Sequence, residues 1–326
     1  MLKDVKLKTL FSKLMLLLLI LAFVMSFSAS FGSVNMLMGV AVITGILMFW
    51  HMDIGIRTTQ ASLLIATVFV GIGAFTFISS VHPLLGFIIH IVSIFVIMML
   101  FSEKIEYKAF LPFMLCYVFA QGNPVVETEL GSRLYGLLMG GLLTGIVYYF
   151  RHRNKDDHHY PTIWRVLQRM DVHSVRFDYA VKVALGVSVG MLLGDLLHIQ
   201  RGMWICLTIF SILQPQHGHS KERAKQRLMG NVIGAAAFIV LFVMLPPQFS
   251  VMITLVLSYI YMFVVDYRIQ MVFVTINALN ASLVLFDYGV SIPLRLSFIL
   301  IGAGMAMMIS KYDFKGFAIR VTQSKG

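Results

Sequence analysis

The chain has 326 residues, of which 59% are hydrophobic and only 13% are charged. A soluble domain normally carries about 25% charged residues, so this composition excludes an ordinary soluble globular protein. The formal net charge of +11 is compatible with nucleic-acid binding, but the positions of the cations along the chain indicate a different cause. The two cysteines, Cys116 and Cys206, both lie in apolar runs and imply no disulfide framework.

The first half of the chain is a series of apolar segments. A basic leader, residues 1–13, precedes an apolar run from Leu14 to Phe31. This run resembles the apolar region of a signal peptide, but its length of about 18 residues suits a bilayer-spanning helix, and we interpret it as an uncleaved first helix. Further runs follow at about 34–50, 61–79, 82–101, 109–121 and 131–150. Residues 1–150 are therefore predicted to form a six-helix membrane unit.

The second half repeats this layout after a charged linker at residues 151–178, which contains an amphipathic piece around Ile163–Met170. Its apolar runs lie at about 179–198, 202–213, 228–246, 250–266, 269–286 and 292–310. Residues 179–326 thus form a second six-helix unit, and an even number of crossings gives both units the same orientation. The prediction is an all-α polytopic membrane protein with about twelve transmembrane helices in two parallel repeats.

The distribution of lysine and arginine predicts the orientation, because these residues concentrate in cytoplasmic loops. With the N-terminus inside, 23 of the 26 fall on cytoplasmic segments, and only Arg133, Arg201 and Arg295 lie at outer helix ends. We therefore predict a multi-pass protein of the cytoplasmic (inner) membrane with both termini inside. This asymmetry explains the positive charge without nucleic acid.

The segment from Arg201 to Phe238 has the most distinctive pattern. A short apolar run, Met203–Leu213, ends at Gln214-Pro215, where proline stops the helix. Residues 216–226 are basic and are interpreted as a cytoplasmic hinge. The helix that follows, at about 228–246, carries Gly230 and Gly234, whose spacing allows another helix to approach closely.

These residues resemble the fusaric acid resistance and aromatic acid exporter superfamily, and distantly the plant aluminium-activated malate transporters, over about residues 178–310. The resemblance rests on seven positions: Trp204, Gln214, Pro215, Arg227, Gly230, Gly234 and Ala235. It implies a transporter that exports organic carboxylic acids, aromatic ones among them. Asn231 stands where many members have threonine, and the short linker replaces the sizeable cytosolic domain of larger exporters.

Two arginines are the leading candidates for binding such an anion. A buried charge is costly unless it is paired, and the planar guanidinium suits carboxylates. Arg133 and Arg295 open the last helix of each half, where cytoplasmic retention does not explain them. We expect them to be related by the repeat and to face one central cavity. For Arg133, a surface pair with Glu129, four residues earlier, is an equal alternative.

Further candidates lie on or near the short helices, because short runs at matching places point to a midplane site. Trp204 and Gln214 belong to the motif above. Asn277 and Asn280 are expected to face the interior, either to bind another helix or to contact substrate. Arg227 either forms an inner anion-binding mouth or simply keeps its loop cytoplasmic. Asp195 ends an apolar helix, and it is either a proton-coupling group or simply a residue at the membrane interface.

Other classes of function find little support. His158-His159 and His217-Gly218-His219 lie in charged segments without the ligand spacing of a metal centre, so no metal or cofactor is predicted. No nucleotide-binding loop is present, and Asp195 and Asp266 at helix ends do not resemble an intramembrane protease dyad, so no enzyme is predicted. The expected partners are a small organic anion and membrane lipids, and a homo-oligomer is left open. The alternatives are a passive organic-anion channel and a membrane scaffold or accessory subunit.

Overall fold

A computed structural model describes residues 7–154, 160–168, 170–199, 201–283 and 287–314. Throughout these ranges the chain forms helices joined by loops, and no described residue lies in a β-strand. The predicted all-α class is confirmed. The His158-His159 pair and the residues from Lys315 onward fall outside the described residues.

The first half provides six helices in the described ranges: α1 (Leu7–Phe31), α2 (Met36–Phe49), α3 (Thr58–Ser79), α4 (Pro83–Phe101), α5 (Leu111–Gly122) and α6 (Glu127–His152). Prolines open α4 and α5, since the first turn of a helix needs no backbone N–H from them. At α4, the His82 ring nitrogen Nδ1 accepts a hydrogen bond from the backbone N–H of Leu84, at 3.2 Å. The residues in the first turns of α4 and α5 therefore explain where these two helices begin.

The linker and the second half provide α7 (Ile163–Gln168), α8 (Val175–Leu196), α9 (Met203–Ile212), α10 (His217–Phe238), α11 (Ser250–Tyr261), α12 (Tyr267–Ser282) and α13 (Tyr288–Ser310). A π-helical turn, Ile239–Val243, extends α10. The short α7 lies within the amphipathic piece predicted in the linker.

The interpretation of residues 216–226 as a hinge is wrong. The helix α10 begins at His217, so Lys221, Arg223 and Lys225 lie on its first turns. Most of this segment consists of good helix formers, and Gln226 Nε2 donates to Glu222 Oε1 at 2.8 Å across one turn. Arg227 is consequently the eleventh residue of α10, about 15 Å along its axis, and not at its N-terminus.

Seven described helices are long and apolar enough to cross a membrane: α1, α3, α4, α6, α8, α10 with its π-turn, and α13. Shorter apolar helices lie at Ser33–Phe49, Leu111–Gly122, Met203–Ile212 and Ser250–Tyr261. A ten-residue helix measures only about 15 Å, against a hydrocarbon core of about 30 Å. The chain is a polytopic membrane protein, and the count of twelve crossings stays a prediction.

Contacts between loops and helix ends define two ends of the bundle. At one end, which we call the linker end, Tyr160 Oη donates to Asp53 Oδ2 at 2.9 Å, and Arg57 N donates to Pro161 O at 3.2 Å. At the other, which we call the opposite end, Ser132 Oγ donates to Phe31 O at 2.5 Å. The chain therefore reaches the opposite end where α1 ends and α6 begins, and it reaches the linker end in the loop between α2 and α3.

The short helices α5 and α9 lie in the middle of the main core. Their buried apolar side chains belong to one cluster that joins both halves, including Phe113, Tyr117, Ile205 and Ile209. A second, smaller cluster lies between α10 and α12: Ala235, Phe238, Ile276 and Leu279.

The close approach predicted for Gly230 and Gly234 is confirmed against α12. A Cβ atom at Gly230 would lie 2.6 Å from Met271 Cβ, and one at Gly234 would lie 2.7 Å from Thr275 Cβ. Between the two glycines, Asn231 Oδ1 accepts a hydrogen bond from Thr275 Oγ1 at 2.5 Å. The helices α10 and α12 thus form a closely packed pair.

Candidate functional site

A cavity of about 230 Å³ lies where helices of both halves meet. We call it the central cavity. Its walls come from α2, α5, α9, α10, α12 and α13 and from the loop before α9: Leu37, Phe119, Arg201, Met203, Trp204, Leu207, Arg227, Val274, Ala278, Ala281 and Arg295. Three arginines and two aromatic residues face an otherwise apolar space, and none of these lining residues is acidic.

Arg295 is the eighth residue of α13 and is only 3% exposed. Its guanidinium carbon lies 4.7 Å from the centre of the Trp204 ring, a cation–π contact. Its Nε is buried and has no hydrogen-bond partner among the described residues. The Trp204 ring compensates the positive charge of Arg295 in part, and the N–H donors of the guanidinium stay available to a ligand.

Arg227 lies across the cavity on α10 and is 5% exposed. Its Nη1 contacts the Met271 sulfur at 3.0 Å, and a thioether is only a weak acceptor. Its Nε is also buried without a partner in the described part of the chain. Arg227 and Arg295 repel each other electrostatically, and neither is paired with a carboxylate there.

Arg201 completes the set from the loop before α9. Its backbone φ of 63° lies in the left-handed region, which costs energy for a residue with a side chain. Its Nη2 makes a long hydrogen bond, 3.5 Å, to Ala281 O, and its Nε is buried and unpartnered within the described ranges. Burial lowers the pKa of the Arg201 guanidinium from its ordinary value.

Arg133 occupies the corresponding place in the first half. It precedes Gly140 by seven residues, as Arg295 precedes Gly302. A Cβ at Gly140 would lie 2.6 Å from a methyl carbon of Val42 on α2, and one at Gly302 would lie 2.8 Å from the side chain of Thr208 on α9. Both arginine-bearing helices therefore pack closely on the short second helix of their half.

The surroundings of Arg133 nevertheless differ from those of Arg295. Its Nε donates to Asn35 Oδ1 at 2.9 Å, its Nη1 to Ala120 O at 3.2 Å and its Nη2 to Asn123 O at 2.7 Å. The guanidinium thus binds carbonyl groups at and just beyond the C-terminal end of α5, where a cation is favoured. Arg133 does not line the central cavity, so the structure does not bring Arg133 and Arg295 to one cavity.

Asn277, Asn280 and Gln214 are not among the residues that line the central cavity. Asn277 Oδ1 is buried without a partner in the described structure, on the turn of α12 that carries Val274 and Ala278. Asn280 Nδ2 donates to Thr254 Oγ1 of α11 at 3.0 Å. Gln214 lies at the linker end, where its Nε2 donates to Leu213 O at 2.7 Å.

Asp195 lines a second cavity, of about 550 Å³, at the opposite end of the bundle. Its Oδ2 accepts a hydrogen bond from Gln121 Nε2 at 3.3 Å. We call this space the end cavity. Arg201 and Met203 line both the end cavity and the central cavity, so the two spaces are neighbours.

Sequence reasoning missed Arg201 and Phe119 as site residues. Arg201 had a usable signal, because it is one of three cations that the positive-inside distribution leaves at outer helix ends. Phe119 had none, since an aromatic residue in an apolar run is normally a packing residue. Among the described residues, no group of three or more His, Cys, Asp or Glu side chains is arranged to hold a metal ion.

Comparison with known proteins supports the resemblance. Residues 187–309, which include all three cavity arginines, match the family model described as fusaric acid resistance protein-like. The uncharacterized protein ORF2 of Neisseria gonorrhoeae is 26% identical over 162 residues, covering 47% of this chain and 38% of that protein. The inner membrane protein YccS of Escherichia coli K12 is 26% identical over 168 residues, covering 50% of this chain and 23% of that protein.

The chain thus spans well under two thirds of either relative's length. No solved structure is significantly similar to it. The predicted resemblance to the fusaric acid resistance group is confirmed over residues 187–309, the part of the chain that provides most of the central cavity's walls.

Proposed function

We propose that this chain, whose residues 187–309 match the fusaric acid resistance protein-like family, is a membrane transporter that exports organic carboxylic acids through the central cavity. One observation carries the proposal: three arginines line an apolar cavity inside a membrane protein, and each has a buried Nε without a partner among the described residues. Such groups are costly unless a ligand of opposite charge compensates them.

The chemistry of the cavity matches an organic anion. A carboxylate that leaves water loses its hydration, and guanidinium donors replace that hydration with hydrogen bonds worth about 1.5–3 kcal/mol each. Trp204 and Phe119 offer aromatic faces to the organic part of the ligand. No serine, cysteine, histidine or carboxylate lines this cavity in the described structure, so binding and passage suit it better than enzymatic catalysis.

The arrangement in the membrane is part of the same proposal. We place twelve helices in two parallel six-helix repeats, residues 1–150 and 179–326, with the linker at 151–178 and both termini in the cytoplasm. The matching positions of Arg133 and Arg295 on α6 and α13 support this arrangement. The similarity to YccS, an inner membrane protein of Escherichia coli K12, supports the inner membrane as the location.

Flux through reconstituted protein tests the proposal. Proteoliposomes loaded with benzoate, 4-hydroxybenzoate or glutarate should release at least one of these acids in a saturable manner. A variant with Arg227→Gln and Arg295→Gln should lose about ten-fold or more of that flux, because the cavity loses two donor groups. The exposed Arg268, paired with Asp266 at 3.3 Å, provides the control variant Arg268→Gln.

The same assay separates the alternatives. Flux that does not saturate and does not respond to a pH gradient would support a passive anion channel. Absence of flux for every acid, with folded protein in the liposomes, would overturn the transport proposal and favour a scaffold.

A further inference from the structure

The number of cations around the central cavity exceeds what one carboxylate can neutralise. Arg201, Arg227 and Arg295 come from three different elements and converge on about 230 Å³ of space. A bound monocarboxylate would leave two of these three charges uncompensated in a region of low dielectric constant. A ligand with two negative charges would leave only one arginine charge uncompensated.

Hydrogen-bonding capacity leads to the same conclusion. A guanidinium has five N–H donors, and a carboxylate has two oxygens with about four acceptor positions. One carboxylate can therefore bind at most two arginines in the bidentate manner. Within the described ranges, the protein's own acceptors for the three cavity arginines are Ala281 O at 3.5 Å and the Met271 sulfur at 3.0 Å. A third guanidinium needs a second anionic group.

Arg133 shows that the lack of protein hydrogen-bond acceptors is specific to the arginines of the central cavity. In the first half, Asn35 and two backbone carbonyls accept from the Nε, Nη1 and Nη2 of the arginine. The second half has Trp204 near Arg295, which offers a π-face and no oxygen acceptor. At the same helix position, each guanidinium nitrogen of Arg133 therefore has a protein acceptor, whereas the Nε of Arg295 has none among the described residues.

The body of the ligand follows from the walls between the arginines. Leu37, Phe119 and Leu207 line the cavity from α2, α5 and α9, so the groups that separate the charges are apolar. We infer that the central cavity selects a compact dianion, with two carboxylates on a short apolar or one-ring body. This inference rests on the proposed function and assigns the charge of its substrate.

Paired ligands of the same shape test it. Isophthalate and its half-amide, 3-carbamoylbenzoate, differ by one negative charge and hardly in size, and glutarate and its half-amide form the equivalent pair without a ring. Isothermal titration of the full chain in detergent at pH 7.5 should give at least ten-fold tighter binding of the diacid in one pair or both. Equal affinities within both pairs would overturn the inference.

Variants show whether the cavity arginines bind the second negative charge of the ligand. Arg201→Asn should reduce the preference for the diacid to less than about three-fold, and asparagine tolerates the left-handed backbone at this position. Arg227→Gln is the second variant if Arg201→Asn fails to fold, and Arg268→Gln is the control. A preference unchanged in a folded cavity variant would also overturn the inference.

The two proposals fail differently in these experiments. Equal binding of diacid and half-amide, together with saturable flux of a monocarboxylate, would remove the dianion inference and leave the exporter intact. No binding by any of the acids, together with no flux, would remove the exporter proposal itself.

Discussion

Arg133 and Arg295 lie at matching positions on α6 and α13, yet the protein hydrogen-bonds only the first of the two guanidinium groups within its described residues. Arg133 donates to Asn35 and to the carbonyls of Ala120 and Asn123, whereas Arg295 faces the Trp204 ring with a buried, unpartnered Nε. One layout thus gives a structural arginine in one half and an available one in the other.

Replacing Arg295 should affect the ligand more than the fold. Hydrogen bonds to charged groups contribute about 1.5–3 kcal/mol, so Arg295→Ala should weaken apparent substrate affinity by roughly ten- to a hundred-fold. Arg295→Lys keeps the positive charge but loses the planar, bidentate donor group. Its substrate affinity should therefore lie between that of the unaltered protein and that of Arg295→Ala. Flux, abundance and thermal midpoint are to be measured on the same preparations. Normal transport by a stable Arg295→Ala protein would remove this residue from the site.

Replacing Arg133 should affect the fold more than the ligand. Arg133→Ala leaves the Asn35 side chain and two carbonyls without their donor, which we expect to cost about 3–5 kcal/mol of stability. The thermal midpoint and the membrane abundance should fall clearly, while substrate affinity in the remaining folded protein stays normal. A stable Arg133→Ala protein with lost affinity would contradict this assignment.

Side chains at Gly234 should separate α10 from α12. A Cβ there would lie 2.7 Å from Thr275 Cβ and 2.8 Å from Val272 O, and that backbone atom cannot rotate away. We expect Gly234→Ala to lower the free energy of unfolding by about 1–3 kcal/mol. Gly304→Ala on α13 is the matched control, because nothing lies within 4 Å of its Cβ position, and the change to alanine should be neutral or stabilising. Equal thermal midpoints for the two variants would contradict the close packing.

Thiol labelling should distinguish the two ends of the bundle. His173 is exposed in the linker, and Leu197 is 65% exposed at the opposite end, whereas the native Cys116 and Cys206 are buried. A membrane-impermeant thiol reagent applied to intact cells should label Leu197→Cys and not His173→Cys. Labelling of His173→Cys before the cells are broken would reverse the proposed orientation.

Several features of this protein were predictable from the sequence because they depend on local composition. Apolar runs long enough for a bilayer, prolines that open or end helices, and the Gly230–Gly234 spacing each act through neighbouring residues or a single helix face. The all-helical class and the close approach of α12 to α10 were therefore accessible. The start of α10 was misplaced because charged residues were interpreted as a loop, although their helix propensity is high.

The content of the central cavity was decided only by the tertiary structure. Arg133 and Arg295 look alike in sequence, each near the start of a glycine-containing helix, and their difference lies in what distant residues offer them. Asn35 is 98 residues from Arg133 along the chain, and Trp204 is 91 from Arg295. Arg201 and Arg227 join Arg295 through the packing of α9, α10 and α13, which no local pattern specifies. Whether a buried cation is satisfied depends on such non-local acceptors, and that is why the fold had to show which arginine is free for a ligand.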